Sequence, residues 1–311
     1  MDWAPPPALY PFKSHWLDLQ GHRYHYLDEG EGDPVILVHG NPTWSFFFRG
    51  LIQELRTSYR VIAVDHIGCG LSDKPDDKTY PYRLHRRVED LEALLDHLDL
   101  SDNITFGMHD WGGMVAMACA LRRPERVTRL VVFNTAAFHL PPGKSLPLRL
   151  SILRHLSPLA TPLVRGFNAF SYLATYMACV TPLSTEVSQA YRAPYDSWSN
   201  RIATLRFVED IPLTAADPSY PLVQWVEDEL HKLRHLPMLI CWGERDFVFD
   251  ADFLAAWQTR FPEAVVHTFP RAGHYLLEDA GQEICPLVRA FLAAHPPHAI
   301  PTEPTPAGPP P

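Results

Sequence analysis

The sequence predicts an α/β protein with a mostly parallel sheet, helices on both faces and a helical segment inserted between two strands. Along most of the chain, short apolar runs typical of buried strands alternate with amphipathic helical patterns. The alternation stops between residues 136 and 213, where helical patterns rich in Pro, Leu and aromatic residues occur without a convincing strand. We therefore expect a core formed by 1–135 and 214–295, a helical cap at 136–213, and a proline-rich tail or linker at 296–311.

The individual elements follow from periodicity. We expect strands at 22–28, 34–40, 60–65, 103–109, 127–135, 238–243 and 264–269. We expect helices at 44–55, 84–100, 111–123, about 251–260 and 276–294. The second helix has one apolar face, formed by Leu84, Val88, Leu91, Leu94, Leu95 and Leu98.

Composition limits the possible functions. The 311 residues are 46% hydrophobic and 20% charged, which is ordinary for a globular protein. A formal net charge of -9, with no long basic cluster, argues against a nucleic-acid partner. Five cysteines without CxxC spacing favour free thiols in a reducing compartment. No signal peptide or transmembrane segment is evident, so a cytoplasmic location is expected.

A candidate nucleophile lies in the stretch GMHDWGGM at 107–114. Asp110 follows an expected strand and opens an expected helix, and the two glycines after Trp111 let that helix pack closely. This is the context of a nucleophile elbow, although Met108 stands where that pattern has a small residue. An aspartate there is also typical of a helix N-cap, so the interpretation depends on the accompanying residues.

Two candidate partners follow Asp110 in the chain. Asp246 comes just after a strand, and His274 lies in a Gly-His turn after the last strand. The order nucleophile, acid, histidine is that of the α/β-hydrolase fold. A single histidine is usually structural, but its place in this order favours a catalytic role. Asp250 is a rival acid that is better interpreted as the cap of the next helix.

Asn41, in HGNPTW at 39–44, and Trp111 are candidate anion-binding residues. In this fold, backbone N–H groups at these two positions stabilise negative charge beside the nucleophile. Both residues also carry side-chain N–H groups, so four donors could converge on one anion. The competing interpretation is a turn asparagine and a core tryptophan.

An aspartate in place of a serine changes the expected chemistry. A carboxylate needs no deprotonation by a base, and it can attack an sp3 carbon with a good leaving group to give an ester. The sequence therefore points away from ordinary esterases, towards halides, epoxides or strained lactones. No metal or cofactor is expected, because HExxH, paired cysteines and a helix-opening GxGxxG are missing.

The motifs HGNPTWSFFFR, DHIGCGLSDKP and MHDWGG resemble those of haloalkane dehalogenases, with similarity from about residue 15 to 293. At position 134, where one subfamily has a glutamate as the acid, this chain has Asn, which supports Asp246. The roles that the resemblance implies are nucleophile for Asp110, base for His274, third member for Asp246, and halide binding for Trp111 and Asn41.

The cap resembles a more specific group. Its stretches NTAAFHLPPGK (134–144), FNAF (167–170) and YRAPYDSWSNRIATLRFVEDIPL (191–213), followed by RDFVFD (245–250), resemble the OleB-type β-lactone decarboxylases of bacterial long-chain olefin biosynthesis. This resemblance implies conversion of a long-chain cis-3,4-dialkyl β-lactone (an oxetan-2-one) to a cis-alkene and CO2. It also implies a possible complex with a β-lactone synthetase and a β-keto reductase, for which the tail is a candidate linker.

Three other functions stay open. A haloalkane dehalogenase would use the same residues to release halide. An epoxide hydrolase also uses an elbow aspartate but needs cap tyrosines as acids, and the candidates are Tyr172, Tyr176, Tyr191 and Tyr195. A non-catalytic hydrolase-fold protein is disfavoured, because all three members of the expected triad are retained.

Overall fold

The computed structural model describes residues 5–297, and its central feature is one eight-stranded sheet. The strand order is β1-β2-β4-β3-β5-β6-β7-β8. Strand β2 is antiparallel to β1 and β4, and all other neighbouring pairs are parallel. The predicted mostly parallel α/β class is confirmed. The strands are Ser14–Leu19 (β1), His22–Glu29 (β2), Pro34–Val38 (β3), Arg60–Val64 (β4), Ile104–Asp110 (β5), Val127–Thr135 (β6), Met238–Gly243 (β7) and Val265–Phe269 (β8).

Helices cover both faces of the sheet. The α-helices are Arg49–Leu55 (α1), Leu84–His97 (α2), Trp111–Arg122 (α3), Leu148–His155 (α4), Ser157–Thr161 (α5), Ala169–Met177 (α6), Thr185–Arg192 (α7), Ile202–Glu209 (α8), Tyr220–Glu229 (α9), Ala251–Arg260 (α10) and Leu276–Ala294 (α11). Shorter 3-10 turns lie at Ser45–Phe48, Pro124–Arg126, Ala193–Tyr195, Ser199–Arg201 and Leu230–Leu233, with a π-helical turn at Pro162–Gly166.

Alternation along the buried strands separates two apolar layers. In β3, Ile36 and Val38 belong to the layer that includes α2, α3, α9 and α10. Their neighbours Val35 and Leu37 belong to the layer that includes α1 and α11. All five residues of β3 are buried, which is why this strand is a continuous apolar run in the sequence.

The interval between β6 and β7 contains helices α4 to α8 within 136–213, followed by α9. Ala160, Val164 and Leu205 form a small apolar cluster of their own in this interval, joined by Leu153 and Phe170. Helix α9 packs on α3 and so belongs with the core layer. Among residues 5–297, no helix is long and apolar enough to cross a membrane.

Strand β1 and helix α9 were not predicted from the sequence. Strand β1 is an edge strand with only one buried residue, so it shows no apolar run. Helix α9 has only two buried residues, Val223 and Val226, which leaves a weak periodic signal. The tail predicted at 296–311 lies outside the described residues, apart from its first two positions.

Close packing at the junction of β5 and α3 depends on glycine. A Cβ at Gly112 would lie 1.9 Å from the carbonyl oxygen of Val38 on the neighbouring strand β3. The start of α3 can therefore approach the sheet only without a side chain at this position. This contact fixes where the helix begins, and with it the position of the residue just before the helix.

We expect Gly112→Ala to lower the free energy of unfolding by more than about 2 kcal/mol, because backbone must move to admit the methyl group. Gly281→Ala is the matched control: it lies in α11, and a Cβ there would meet nothing within 4 Å. That variant should change stability by no more than about 1 kcal/mol. Urea unfolding measures both, and equal effects would show that the close approach is not limiting.

Candidate active site

Asp110 lies at a sharp turn with no connecting residue, because β5 ends at Asp110 and α3 begins at Trp111. Its backbone adopts φ 53° and ψ −123°, a strained conformation for a residue with a side chain. The Thr135 hydroxyl donates to the Asp110 carbonyl oxygen and braces the turn. The side chain accepts no capping hydrogen bond from the second or third residue of α3, so the helix-cap interpretation is not supported.

His274 lies between two carboxylates. Its Nδ1 is 2.7 Å from Asp246 Oδ2, and its Nε2 is 3.6 Å from Asp110 Oδ2. The other oxygen of Asp246 accepts the backbone N–H groups of Val248 and Phe249, at 2.7 and 3.1 Å, which fixes the carboxylate. All three predicted triad residues are buried and adjoin one another.

Asp250 does not take part in this arrangement. It accepts a hydrogen bond from the backbone N–H of Asp252 as the N-cap of α10, and it pairs with Lys144. Asn134 is not part of the triad either. Its side-chain amide donates to the Gly243 carbonyl oxygen at 3.0 Å and accepts from the Gly243 N–H at 2.7 Å. Asn134 therefore ties the end of β6 to the end of β7, from which the Asp246 loop departs.

The two predicted backbone donors are directed at Asp110 itself. The Asn41 N–H donates to Asp110 Oδ1 at 2.6 Å, and the Trp111 N–H also hydrogen-bonds to the carboxyl group. Close approach of the loop requires Gly40, where a Cβ would lie 1.9 Å from Asp110 Oδ1. One carboxylate oxygen is thus held by backbone, while Oδ2 faces His274.

The two predicted side-chain donors differ from each other. The Asn41 side-chain amide donates one of its two N–H groups to the Thr204 carbonyl oxygen, at 3.0 Å, while the residue also lines the cavity described below. Among the described residues, the Trp111 indole N–H has no hydrogen-bond partner, and Trp111 lines the cavity described below.

Burial and charge act in opposite directions on the two ionisable groups that meet here. Burial raises the pKa of Asp110, and the charge of His274 and the N–H groups of Asn41 and Trp111 offset this only in part. Burial alone would lower the pKa of His274, but the charge and hydrogen bond of Asp246, with the charge of Asp110, raise it above its usual value. The pKa values of both groups therefore lie above their usual values.

A cavity of about 500 Å³ opens above these groups. Asp110, Trp111, Asn41 and His274 all line it. The rest of the wall is mainly apolar and includes Met114, Phe138, Leu140, Leu153, Phe170 and Phe253. Such a cavity fits an apolar molecule with a single polar reacting group placed at Asp110.

The cap tyrosines needed by an epoxide hydrolase do not reach this cavity. Tyr172 and Tyr176 are 54% and 85% exposed, and Tyr191 is buried with its hydroxyl on Glu278. Tyr195 is buried with its hydroxyl 3.4 Å from the Thr43 carbonyl oxygen. No tyrosine is among the described residues that line the cavity, which removes the main support for that alternative.

No metal centre is found among residues 5–297, where no three or more His, Cys, Asp or Glu side chains are arranged to hold an ion. His109, which precedes Asp110, was not singled out from the sequence. Its Nε2 donates to the His274 carbonyl oxygen at 2.9 Å, and burial holds its pKa well below the usual range, so it stays neutral. His109 thereby positions the loop that carries His274.

Residues 33–281 match the model of the alpha/beta hydrolase fold family. The chain belongs to the α/β-hydrolase family. A cis-3-alkyl-4-alkyloxetan-2-one decarboxylase from Shewanella oneidensis is 52% identical over 92% of this chain and 90% of its own length. A protein of the same name from Xanthomonas campestris pv. campestris is 44% identical, over 92% of this chain and 98% of its own.

The resemblance of this α/β-hydrolase family member to the β-lactone decarboxylases is therefore confirmed. The wider likeness to dehalogenases is confirmed as well: haloalkane dehalogenase 2 from Mycobacterium bovis is 34% identical over 91% of the chain and 96% of its own length. The crystal structure of the haloalkane dehalogenase DatA from Agrobacterium tumefaciens C58 superimposes with a TM-score of 0.83. It shares 26% identity and covers 94% of this chain and 100% of its own.

We expect Asp246→Asn to lower the pKa of His274, because the Asp246 carboxylate is the main group that raises it. The histidine ring should then titrate at lower pH in NMR spectra of the ring carbons, assigned with His274→Gln. Asp250→Asn removes a neighbouring carboxylate that caps α10, and it should leave the titration unchanged. The opposite pattern would make Asp250 the partner of His274.

Proposed function

We propose that this chain decarboxylates cis-3-alkyl-4-alkyloxetan-2-ones to cis-alkenes and CO2, with Asp110 as the nucleophile. The observation that carries the proposal is the buried carboxylate of Asp110, which accepts hydrogen bonds from backbone N–H groups at the base of an apolar cavity. The two decarboxylases described above, similar over nearly the whole chain, support the choice of substrate.

In the first step, Asp110 Oδ2 attacks the ring carbon that bears the ring oxygen. The bond from that carbon to the ring oxygen breaks, which leaves an alkyl ester on Asp110 and a carboxylate on the adjacent carbon. The configuration at the attacked carbon inverts. In this proposal the indole N–H of Trp111, a residue of the cavity wall, holds the new carboxylate.

In the second step, the bond to the carboxylate carbon breaks and CO2 leaves. Its electron pair forms the carbon–carbon double bond, while the ester bond to Asp110 breaks and restores the aspartate. Inversion followed by anti elimination gives the cis-alkene from the cis-lactone. The sequence consumes neither water nor a proton, so every atom of the lactone is found in the two products.

A second route, attack at the lactone carbonyl to give a mixed anhydride, is less compatible with the donors. A tetrahedral oxyanion at the substrate carbonyl would need the backbone N–H groups of Asn41 and Trp111. Those groups already bind the carboxyl group of Asp110. Attack at an sp3 carbon leaves them in place throughout the reaction.

Haloalkane dehalogenation is the second candidate, and the observation that favours it is the Asp246–His274 pair beside Asp110. A histidine oriented in this way can activate water to hydrolyse an alkyl ester on Asp110. In the decarboxylation no water reacts. There, His274 acts as a cation that keeps Asp110 ionised.

We extend the proposal to the surroundings of the site. The segment 136–213 works as a cap, since Phe138, Leu153, Phe170 and other residues from it complete the cavity wall. The enzyme acts in long-chain olefin formation, downstream of a β-lactone synthetase and a β-keto reductase. A complex with those two enzymes is part of the proposal.

We expect the purified chain to convert a cis-3,4-dialkyl β-lactone to alkene and CO2, and Asp110→Asn to reduce the rate roughly 10^3-fold or more. Gas chromatography measures the alkene. Mass spectrometry of a trapped intermediate should show an alkyl ester on Asp110, and an acyl anhydride there would support the carbonyl route instead.

The controls use a 1-bromoalkane and a second variant. Asp250→Asn changes a nearby carboxylate outside the site and should keep the rate of alkene formation. Halide release by the wild type, with the lactone left intact, would establish the dehalogenase and overturn the decarboxylase proposal.

The pH dependence of alkene formation should reflect the buried aspartate. The nucleophile must be ionised, so activity falls as the pH drops through the raised pKa of Asp110. His274→Gln removes the charge that lowers this pKa, and the residual activity should decline at higher pH than in the wild type. An unchanged acid limb in the pH–rate profile would contradict the electrostatic role of His274.

A further inference from the structure

The outer side of helices α4 to α6 is unusually apolar. Among the described residues, exposed large hydrophobic side chains concentrate between residues 148 and 180, and we call this region the 148–180 surface. Scattered exposed hydrophobics are normal, but a concentration on one surface marks a contact site. The exposed members are Leu148, Ile152, Leu156, Leu159, Phe167, Tyr172, Leu173, Tyr176 and Val180.

These exposed side chains are not simply the outer part of a packed core. The inward side of the same helices already has its own cluster, in which Leu153 and Phe170 pack on Val164. Helix α4 contains no fully buried residue. The segment therefore has apolar side chains on two sides, and one side lacks a protein partner among the described residues.

The surface is continuous with the cavity. Leu148 and Leu173 are 76% and 50% exposed, and both also line the cavity above Asp110. Arg149, in α4, lines it too and contacts the sulfur of Met177 in α6 at 2.7 Å. A molecule that leaves the cavity on this side thus meets apolar side chains at the surface.

Charge distinguishes this region from the rest of the chain. The protein has a formal net charge of -9, yet no Asp or Glu occurs between Glu125 and Glu186. Two of the cations in that interval are neutralised from outside it, since Lys144 pairs with Asp250 and Asp252, and Arg154 pairs with Asp217.

Three further guanidinium groups form no salt bridge within the described part of the chain. They are associated with aromatic rings or the cavity wall instead: Arg165 lies over the ring of Trp198 and Arg192 over that of Tyr172, at 4.8 and 4.1 Å from the ring centroids. The third is Arg149. Unpaired cations beside exposed aliphatic and aromatic side chains are the features by which a protein binds the headgroup region of an anionic bilayer.

We propose that the 148–180 surface docks on the face of an anionic lipid bilayer, with the cavity opening towards the acyl chains. The inference rests on the proposed function, in which substrate and product are long hydrocarbons. A dialkyl lactone would enter from the lipid, and the alkene would return to it without crossing water. The chain binds at the surface only, since none of its described helices can cross the bilayer.

Vesicle sedimentation with the full chain tests this. The wild type should pellet with vesicles of phosphatidylglycerol and phosphatidylcholine, and roughly tenfold less with phosphatidylcholine alone or at high salt. The double variant Phe167→Asp/Tyr176→Asp should lose binding roughly tenfold or more. Both residues are strongly exposed, at 77% and 85%, and neither lines the cavity.

The matched control places aspartates on two other exposed hydrophobic residues. Trp16→Asp/Val265→Asp changes side chains that are 46% and 43% exposed on the edge strands β1 and β8, and it should bind vesicles as the wild type does. A wild type that stays in the supernatant, or equal loss in both double variants, overturns the proposal. So does binding of the surface to purified β-lactone synthetase without any vesicle binding.

A short-chain, water-soluble β-lactone separates this inference from the proposed function. The Phe167→Asp/Tyr176→Asp variant should turn it over at the wild-type rate. If the wild type itself fails to turn it over, the proposed function has failed. If turnover is normal and vesicles are not bound, only the docking surface is wrong.

Discussion

The rest of the site depends on the hydrogen bonds that backbone N–H groups make to the carboxyl group of Asp110. The bond from Asn41 joins the loop after β3 to the end of β5, and the N–H of Trp111 adds the start of α3. These hydrogen bonds require the loop after β3 to lie close to Asp110, which Gly40 allows, and the start of α3 to lie close to β3, which Gly112 allows. They also leave one carboxylate oxygen facing His274 and the cavity, so the fold gives the two carboxylate oxygens different surroundings.

Charge balance explains how such a site would promote decarboxylation. With Asp110 and Asp246 ionised and His274 protonated, as the proposed mechanism requires, these three residues carry one net negative charge at the base of an apolar cavity. In the proposed first step the charge of Asp110 moves to the substrate carboxylate, which a low-dielectric cavity solvates poorly. Departure of neutral CO2 returns that charge to Asp110 and its backbone donors. The apolar wall therefore favours the second step as well as binding the alkyl chains.

The sequence predicted most of the fold because the buried strands and long amphipathic helices bury enough apolar surface to impose clear periodicity. Strand β1 and helix α9 were missed, since they bury too little to do so. The grouping of Asp110, Asp246 and His274 followed from the elbow around Asp110, from the positions of the other two residues after strands, and from their order in the chain. The engagement of the Asn41 amide by Thr204, and the bracing by His109, depend on contacts between residues more than 160 positions apart. No local pattern encodes such contacts, so nothing in the sequence indicated the bond from the Asn41 amide to Thr204 or the role of His109.

Because the backbone N–H groups of Asn41 and Trp111 bind the Asp110 carboxyl group, this site should react with different covalent inhibitors from those of serine hydrolases. Fluorophosphonates and carbamates react with those enzymes because the phosphoryl or carbonyl oxygen enters a vacant oxyanion hole. Here the corresponding N–H groups bind the carboxyl group of Asp110, the proposed nucleophile. We therefore expect reagents of that type not to label this protein in activity-based profiling, although it shares the α/β-hydrolase fold with many serine hydrolases. Selective covalent inhibitors would instead need an alkylating carbon, such as an epoxide or a strained ring, on a hydrocarbon chain.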